Sequence, residues 1–76
     1  MEEKLLKRVV VDPEIMAGKP VIKGTRIPVD LIVKLVAKGM TYEEIKKDYP
    51  YLTKEDVKAA LMYAAEVTGN EEVFPL

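Results

Sequence analysis

The sequence contains no cysteine, no histidine and no serine among its 76 residues. Without cysteine no disulfide can form, and without cysteine or histidine the usual zinc sites are excluded. The same absences exclude catalytic triads and thiol chemistry. Three acidic residues, Asp12, Glu14 and Asp30, follow no metal-binding pattern and are interpreted as solvated surface acids. We therefore predict a binding protein, not an enzyme, with no catalytic residues, no metal and no cofactor.

Long apolar runs are also missing. No stretch approaches the ~20 residues that a membrane-spanning helix needs, so no membrane association is expected. The first four residues, Met-Glu-Glu-Lys, lack the basic and apolar regions of a signal peptide, and we expect a soluble, cytoplasmic protein. Glutamine is absent and asparagine occurs once, at Asn70, whereas 33% of the residues are charged. That composition is typical of thermophile proteins.

The length of the chain predicts a single domain over residues 1–76, and it favours self-association. A domain this small buries only about 60% of the surface that its unfolded chain exposes. One core of that size seldom contributes more than about 3–5 kcal/mol, and small natural folds usually add a disulfide, a metal or a second subunit. Because the first two are excluded here, we expect a homodimer.

The first third of the chain predicts a small β element over residues 5–28. Runs rich in β-branched residues indicate strands at 5–11, 20–23 and 26–28. Asp12 stops the first strand and could cap one helical turn, with Pro13 at its first position and Gly18 beyond its end. Gly24 stands at the first of two central loop residues, which indicates a type II′ hairpin turn. These strands must pack on helices or pair across a dimer, because an isolated hairpin is marginally stable.

A first helix is predicted over residues 28–38, with Pro28 at its first position. Its polar residues Asp30, Lys34 and Lys38 form one narrow stripe, and the remaining positions are apolar. The apolar arc covers roughly two-thirds of the circumference, so this helix needs cover on two sides. A second subunit could supply one cover, joined through the N-terminal strands and this helix. The predicted dimer-interface residues are Val9, Val11, Leu31 and Leu35.

Two capping boxes predict the remaining helices of the bundle over residues 28–67. Thr41 and Glu44 open a helix that runs to about residue 48, and Thr53 and Asp56 open one that runs to about residue 67. The predicted core face of the last helix comprises Val57, Ala60, Leu61, Ala64 and Val67, and its outer face Glu55, Ala59, Met62 and Glu66. The fold class is therefore mainly α, with short N-terminal β strands before a three-helix, helix-turn-helix bundle.

The charges divide unevenly, with a balance of +3 over residues 1–40 and −4 over residues 41–76. Bound nucleic acid would therefore contact mainly the first half. The candidate phosphate-binding residues are Lys19, Lys23, Arg26, Lys54 and Lys58, with Lys7 and Arg8 nearby, although ordinary solvated charge is the alternative interpretation. The acidic outer face of the last helix argues against base reading by that helix.

The aromatic residues and the tail each leave two interpretations open. The four tyrosines at 42, 49, 51 and 63 could be interface anchors or half-buried core residues. The tail over residues 69–76 combines acids with apolar residues, and it could be a short partner-binding segment or a disordered end.

Several strings of the sequence resemble one known family. Gly-Lys-Pro-Val-Ile at 18–22, Gly-Thr-Arg-Ile-Pro-Val at 24–29 and Gly-Met-Thr-Tyr-Glu-Glu-Ile at 39–45 resemble the domain-of-unknown-function 433 (DUF433) family. The resemblance implies a homeodomain-like helix-turn-helix core and an antitoxin-like role, in which the protein binds and neutralises a PIN-like nuclease. It also implies possible DNA binding, as a regulator of its own operon. The matching residues at 18 and 24–28 are expected to shape the hairpin and the helix entry.

Overall fold

The computed structural model describes residues 2–69, which form four α-helices and a two-stranded sheet. In chain order the elements are α1 (Glu2–Leu6), β1 (Val9–Val11), a single 3-10 turn (Met16–Gly18), β2 (Pro20–Ile22), α2 (Val29–Ala37), α3 (Tyr42–Asp48) and α4 (Lys54–Val67). This arrangement confirms the predicted fold class, a mainly helical chain with a short β element near its start. The expectation for the tail beyond Gly69 lies outside the described residues.

Helix α1 corrects the prediction of a strand over residues 5–11. Leu5 and Leu6 are helical and half-buried, and the strand begins only at Val9. The physical reason is local, because leucine, lysine and glutamate favour helices, whereas the β-branched residues are confined to Val9–Val11. Helix α1 packs against α4, and it therefore covers a side of α4 that the sequence interpretation left in solvent.

Strands β1 and β2 pair antiparallel, with Val10 opposite Val21. The segment between them starts as predicted, because the Asp12 side chain accepts a hydrogen bond of 2.9 Å from the Glu14 backbone. The helical turn itself lies later than predicted and has the opposite hand, since Met16, Ala17 and Gly18 have φ of 50°, 56° and 84°.

The predicted third strand at 26–28 is wrong, and so is the type II′ turn. The structure has only an isolated bridge between Val21 and Pro28. Thr25 N–H donates to the Ile22 carbonyl at 3.0 Å, so Gly24, with φ of 80°, is the second central residue of the turn and not the first. Pro28 has no N–H to extend a ladder, which limits pairing to this bridge.

Helices α2, α3 and α4 and strand β2 enclose one core. It consists of Ile22, Val29, Ile32, Ile45, Leu52 and Ala60. Both capping boxes are present as predicted, with Glu44 N–H donating to the Thr41 hydroxyl at 3.2 Å and Asp56 N–H donating to the Thr53 hydroxyl at 3.0 Å. Pro28 is the N-cap of α2 and not its first residue, a shift of one position.

The predicted faces of α4 are partly wrong. Ala59, assigned to the outer face, is fully buried, whereas Leu61 and Val67, assigned to the core face, are 38% and 65% exposed. The cause is that α4 contacts α1 and β1 as well as α2. The buried face of α4 therefore includes side chains that contact α1 and β1, and it differs from the face that packing against α2 and α3 alone would bury. Among the described residues, no helix is both long enough and apolar enough to cross a bilayer.

Candidate functional site

An apolar concave surface lies between α2 and α4, and we call it the α2–α4 groove. Val29 and Val33 of α2 form one wall, and Tyr63, Ala64 and Val67 of α4 form the other. Its volume is about 450 Å³, and its accessible walls are almost entirely carbon. An open apolar groove of this kind is suited to an apolar peptide segment, since burial would remove carbon surface from water on both sides.

Charged side chains stand at the rim of the α2–α4 groove. The Lys19 ammonium donates to an Asp30 carboxylate oxygen at 3.3 Å, and Lys34 lies one helical turn beyond Asp30. The hydrogen bond from Lys19 is the main cause that lowers the pKa of the Asp30 carboxyl below its ordinary value of 3.8, and the positive charges of Lys19 and Lys34 act in the same direction. Two lysines and one aspartate give this rim a balance of +1.

A second groove lies between the loop of residues 24–27 and the connection from α3 to α4, and we call it the tyrosine groove. It has a volume of about 500 Å³ and is lined by Arg26, Tyr49 and Tyr51 among others. Tyr51 is 81% exposed, whereas Tyr49 is half-buried and packs on the core. Tyr49 therefore matches the interpretation as a half-buried core residue, whereas a role as an interface anchor stays a prediction for Tyr51.

The other two tyrosines belong mainly to the protein's own packing. The Tyr42 hydroxyl donates to the Leu52 carbonyl at 2.9 Å, and the Lys54 ammonium lies 5.8 Å from the centre of the Tyr42 ring, a cation–π distance. Tyr63 is half-buried and forms part of the α2–α4 groove.

The five residues predicted to contact nucleic acid are all exposed, but they do not form one surface built around a single groove. Lys19 lines the α2–α4 groove and is paired with Asp30. Arg26 lines the tyrosine groove, while Lys54 lies over the Tyr42 ring. Lys23 and Lys58 are exposed on the β2–α2 loop and on α4. The five residues thus lie at separate places on the surface, and their contact with nucleic acid stays a prediction.

Arg8 has a structural role that the sequence did not reveal. Its guanidinium donates to an Asp56 carboxylate oxygen at 3.1 Å, and Asp56 is only 7% exposed. The two residues are 48 positions apart, so no local pattern could have indicated the pair. Arg8 therefore ties the N-terminal segment to α4.

The four predicted dimer-interface residues differ in their surroundings. Val9 and Leu35 are partly buried and pack against the protein's own core. Val11 is 57% exposed and Leu31 is half-buried, so these two retain apolar surface for a second chain. No three acidic residues within the described part of the chain converge as metal ligands would.

Comparisons with known proteins give one consistent result. A family model described as "Protein of unknown function (DUF433)" matches residues 9–64. A crystal structure of a DUF433 member protein from Anabaena variabilis superposes with a TM-score of 0.76 at 31% sequence identity, covering 88% of this chain and 66% of that one. The residues that the family model matches include the sheet, α2, α3 and most of α4.

Two relatives are uncharacterized proteins. Over 68 residues the chain is 35% identical to the uncharacterized protein y4eO of Sinorhizobium fredii, which covers 87% of this chain and 31% of that protein. Over 30 residues it is 63% identical to an uncharacterized protein of Archaeoglobus fulgidus, which covers 40% of this chain and 83% of that protein. The chain thus spans about a third of the y4eO protein and about two-thirds of the Anabaena chain.

Proposed function

The chain belongs to the DUF433 family of proteins of unknown function, and from that membership we propose that it is a non-enzymatic binding module of the antitoxin type. In this proposal it binds a partner protein, a PIN-like nuclease, and neutralises it. The observation that carries the proposal is the α2–α4 groove, whose walls are apolar and open to solvent. The protein also acts as a homodimer in this proposal, with Val11 and Leu31 in the contact between the two chains.

The shape and chemistry of the groove define the partner segment that would fit. Val33 and Val67 both line the groove as carbon surface, and 65% of Val67 is exposed in the free protein. A partner helix or strand that carries two or three apolar side chains would exclude water from both walls. An acidic residue beside those side chains would be attracted to the net positive rim formed by Lys19, Asp30 and Lys34.

Co-purification tests this proposal directly. The full chain is co-expressed with the product of the neighbouring gene, and complex formation and RNA cleavage are measured. We expect a stable complex and suppressed cleavage. Val67→Asp should weaken the complex at least tenfold, because it places a charge in the apolar groove without disturbing buried residues. Tyr51→Asp, at an exposed position in the tyrosine groove, is the matched control and should bind normally.

Failure of the nuclease to co-purify with the full chain would contradict the proposal, and so would equal binding by the two aspartate variants. The second result would show that a complex forms elsewhere on the surface.

DNA binding is a second candidate, and the tyrosine groove is the observation that favours it. Arg26 and Tyr51 line the same groove, and both are exposed, so a cation and an aromatic ring are presented together. Arginine binds phosphate, and an aromatic face contacts sugar or an unstacked base. Lys23 is exposed and directly precedes Gly24, which lines this groove, so it adds a second cation to the same loop.

A mobility-shift assay with DNA from upstream of the chain's own gene, at increasing salt, tests DNA binding. We expect affinity to fall with salt, and Arg26→Ala to reduce the slope of log K against log salt by about 0.9, the value for one lost phosphate contact. Lys38→Ala, at the exposed C-terminal end of α2, is the control. An unchanged slope for Arg26→Ala would remove this groove as the DNA site.

A further inference from the structure

Strand β1 lies at an edge of the sheet. Its neighbour on one side is β2, and within residues 2–69 no strand pairs with its other side. The strand consists of three valines, of which Val9 and Val10 are half-buried and Val11 is 57% exposed. Natural sheets usually protect an apolar edge with a charge, a proline or a bulge. Residues 9–11 contain none of these, so this edge is suited to pair with another strand.

The hydrogen bonds of β2 show which backbone groups of β1 point away from the sheet. Lys23 N–H donates to the Arg8 carbonyl at 2.7 Å, so these two residues form a hydrogen-bonded pair. In an antiparallel ladder, such pairs alternate with pairs that are not hydrogen-bonded. The next hydrogen-bonded pair is therefore the one at Val10. The N–H and C=O groups of Val9 and Val11 point outward, away from β2.

A hydrogen bond of Ile22 supports this orientation independently. Ile22 is paired with Val9, but its N–H donates to the Ile27 carbonyl at 3.0 Å, on the side of β2 that faces away from β1. Among the residues that the structure describes, no backbone group bonds the outward N–H and C=O groups of Val9 and Val11. Four backbone groups along β1 are therefore placed to pair with a further strand.

These four groups are complementary to themselves. When two copies of β1 run antiparallel about a twofold axis at Val10, Val9 of each copy lies opposite Val11 of the other. Each of these two pairs exchanges both of its backbone hydrogen bonds, which gives four bonds between the copies. A twofold contact of this kind uses the same surface patch on both chains.

The neighbouring residues exclude the two nearest symmetric registers. An axis at Val11 would place Val9 opposite Pro13, which has no N–H to donate. An axis at Val9 would require the N–H of Lys7, which already donates to a carbonyl of α1 at 3.2 Å. The axis at Val10 is therefore favoured over both.

The side chains agree with the same register. Val11 and the Val9 of a second copy lie directly opposite each other and on the same face, where side chains of cross-strand pairs contact. The exposed surface of Val11 is then removed from water. One position further out, Arg8 comes opposite Asp12 at both ends of the pairing, so a cation is matched with a carboxylate.

We propose that two copies of this chain join through β1, with Val9 opposite Val11 and the twofold axis at Val10. The two sheets then form one antiparallel sheet of four strands, in the order β2–β1–β1–β2. This inference rests on the homodimer proposed above and defines its contact, and it does not depend on nuclease binding.

Cysteine scanning tests the register, because the protein has no cysteine of its own. In the proposed pairing the two copies of residue 10 are not hydrogen-bonded and have Cα atoms about 4.5 Å apart, within the range that a disulfide spans. Val10→Cys should form a covalent dimer on mild oxidation of the full chain, measured by electrophoresis without reductant. Val9→Cys and Val11→Cys place their two copies diagonally, about 7–8 Å apart, and should crosslink at least tenfold more slowly.

Tyr51→Cys is the control for random collisions, because Tyr51 is 81% exposed and lies outside the sheet. Crosslinking of Val10→Cys no faster than that of Tyr51→Cys would overturn the proposal, since β1 would then not pair with itself. Faster crosslinking of Val9→Cys or Val11→Cys than of Val10→Cys would overturn it as well, since the register would be different.

A proline variant tests the backbone hydrogen bonds. Because the Val11 N–H points away from β2, Val11→Pro removes an outward donor and leaves the β1–β2 ladder intact. Two of the four bonds between the copies are lost, so the dissociation constant of the dimer should rise tenfold or more while the circular dichroism spectrum stays the same. Val11→Ile keeps the donor and an apolar β-branched side chain, and it should dimerise like the parent. Equal dissociation constants of these two variants would contradict the pairing.

The outcomes separate this inference from nuclease neutralisation. A dimer that crosslinks through Val10→Cys but binds no nuclease would refute neutralisation and leave the pairing of β1 standing. A dimer that does not crosslink there would overturn the inference and leave the homodimer to another contact. A monomeric chain that binds the nuclease would overturn the inference and the homodimer together, whereas neutralisation would stand.

Discussion

At the scale of single residues, the Asp56 carboxylate makes both a local contact with Thr53 and a distant contact with Arg8, and no local sequence pattern indicates the second. One carboxylate oxygen accepts the Thr53 N–H at 3.0 Å and completes the capping box, while the other accepts the Arg8 guanidinium at 3.1 Å. The carboxylate is largely removed from water, whereas the Arg8 side chain is 43% exposed. The same group therefore caps α4 and holds the N-terminal segment against it.

We expect Arg8→Ala to lower the free energy of unfolding by about 1–2 kcal/mol, because a buried carboxylate loses a charged donor that remains partly screened by solvent. Urea denaturation measures this loss. Lys7→Ala, the neighbouring exposed residue, is the control and should change stability by less than about 0.5 kcal/mol. Equal stabilities of the two variants would show that the ion pair contributes nothing.

The pair of Lys19 and Asp30 predicts a measurable titration. Because the Lys19 hydrogen bond lowers the pKa of Asp30 from 3.8, Lys19→Ala should move that pKa upward, towards 3.8. At pH values above 3.8, the ordinary pKa of the Asp30 carboxyl, the pair contributes its full stabilisation of the folded state. This stabilisation is lost as the pH falls through the lowered pKa of Asp30 in the folded protein. Carboxyl ¹³C shifts measured between pH 2 and 6 test the change. Lys23→Ala should leave the titration of Asp30 as it is, and an unmoved midpoint in Lys19→Ala would contradict the assignment.

At the scale of elements, the turn at Met16–Gly18 is the unusual feature. Met16 and Ala17 adopt positive φ although neither is glycine, and this conformation costs roughly 1–2 kcal/mol for each such residue. The turn connects the two strands of the sheet, and its last residue, Gly18, can adopt positive φ without a steric penalty. Pairing of β1 with β2 thus maintains a backbone conformation that the residues themselves disfavour.

We expect Ala17→Gly to raise the free energy of unfolding by about 0.5–1 kcal/mol. Glycine adopts the left-handed conformation without steric strain, but its greater conformational entropy in the unfolded chain offsets part of this stabilisation. The matched control is Ala65→Gly, the same substitution at an exposed position in α4, which should lower it by about 1 kcal/mol. Thermal and urea denaturation measure both. A loss of stability in Ala17→Gly would argue against strain at this turn.

At the scale of the whole molecule, self-association remains the main prediction. Val11 and Leu31 retain apolar surface, and a core of this size is small for a lone domain. We expect the full chain to be a dimer at micromolar concentration by size-exclusion chromatography with light scattering. Val11→Lys should shift the equilibrium towards monomer by tenfold or more while the circular dichroism spectrum stays the same. Tyr51→Lys is the control, and a monomeric parent protein would contradict the prediction.

The helices that were predicted well have local causes. Thr41 and Thr53 each satisfy a backbone N–H only three residues away, so the starts of α3 and α4 follow from short strings of sequence. The candidate site was predicted less well. Lys19 and Arg26 were correctly expected at the surface, but the α2–α4 groove was not foreseen, because its walls come from elements about 30 residues apart.

The sequence by itself determined the bounds of α3 and α4, the capping boxes, the mainly α class and the family, because each depends on residues close together in the chain. Only the tertiary structure decided which side of α4 is buried, that α1 packs on it, and where the chain turns at Gly24. It also decided that the Arg8 guanidinium donates to Asp56 and that three valines, an alanine and a tyrosine line one groove. These features depend on how segments that are distant in the sequence pack together. Which side chains are buried is therefore fixed only when all of the elements form the common core.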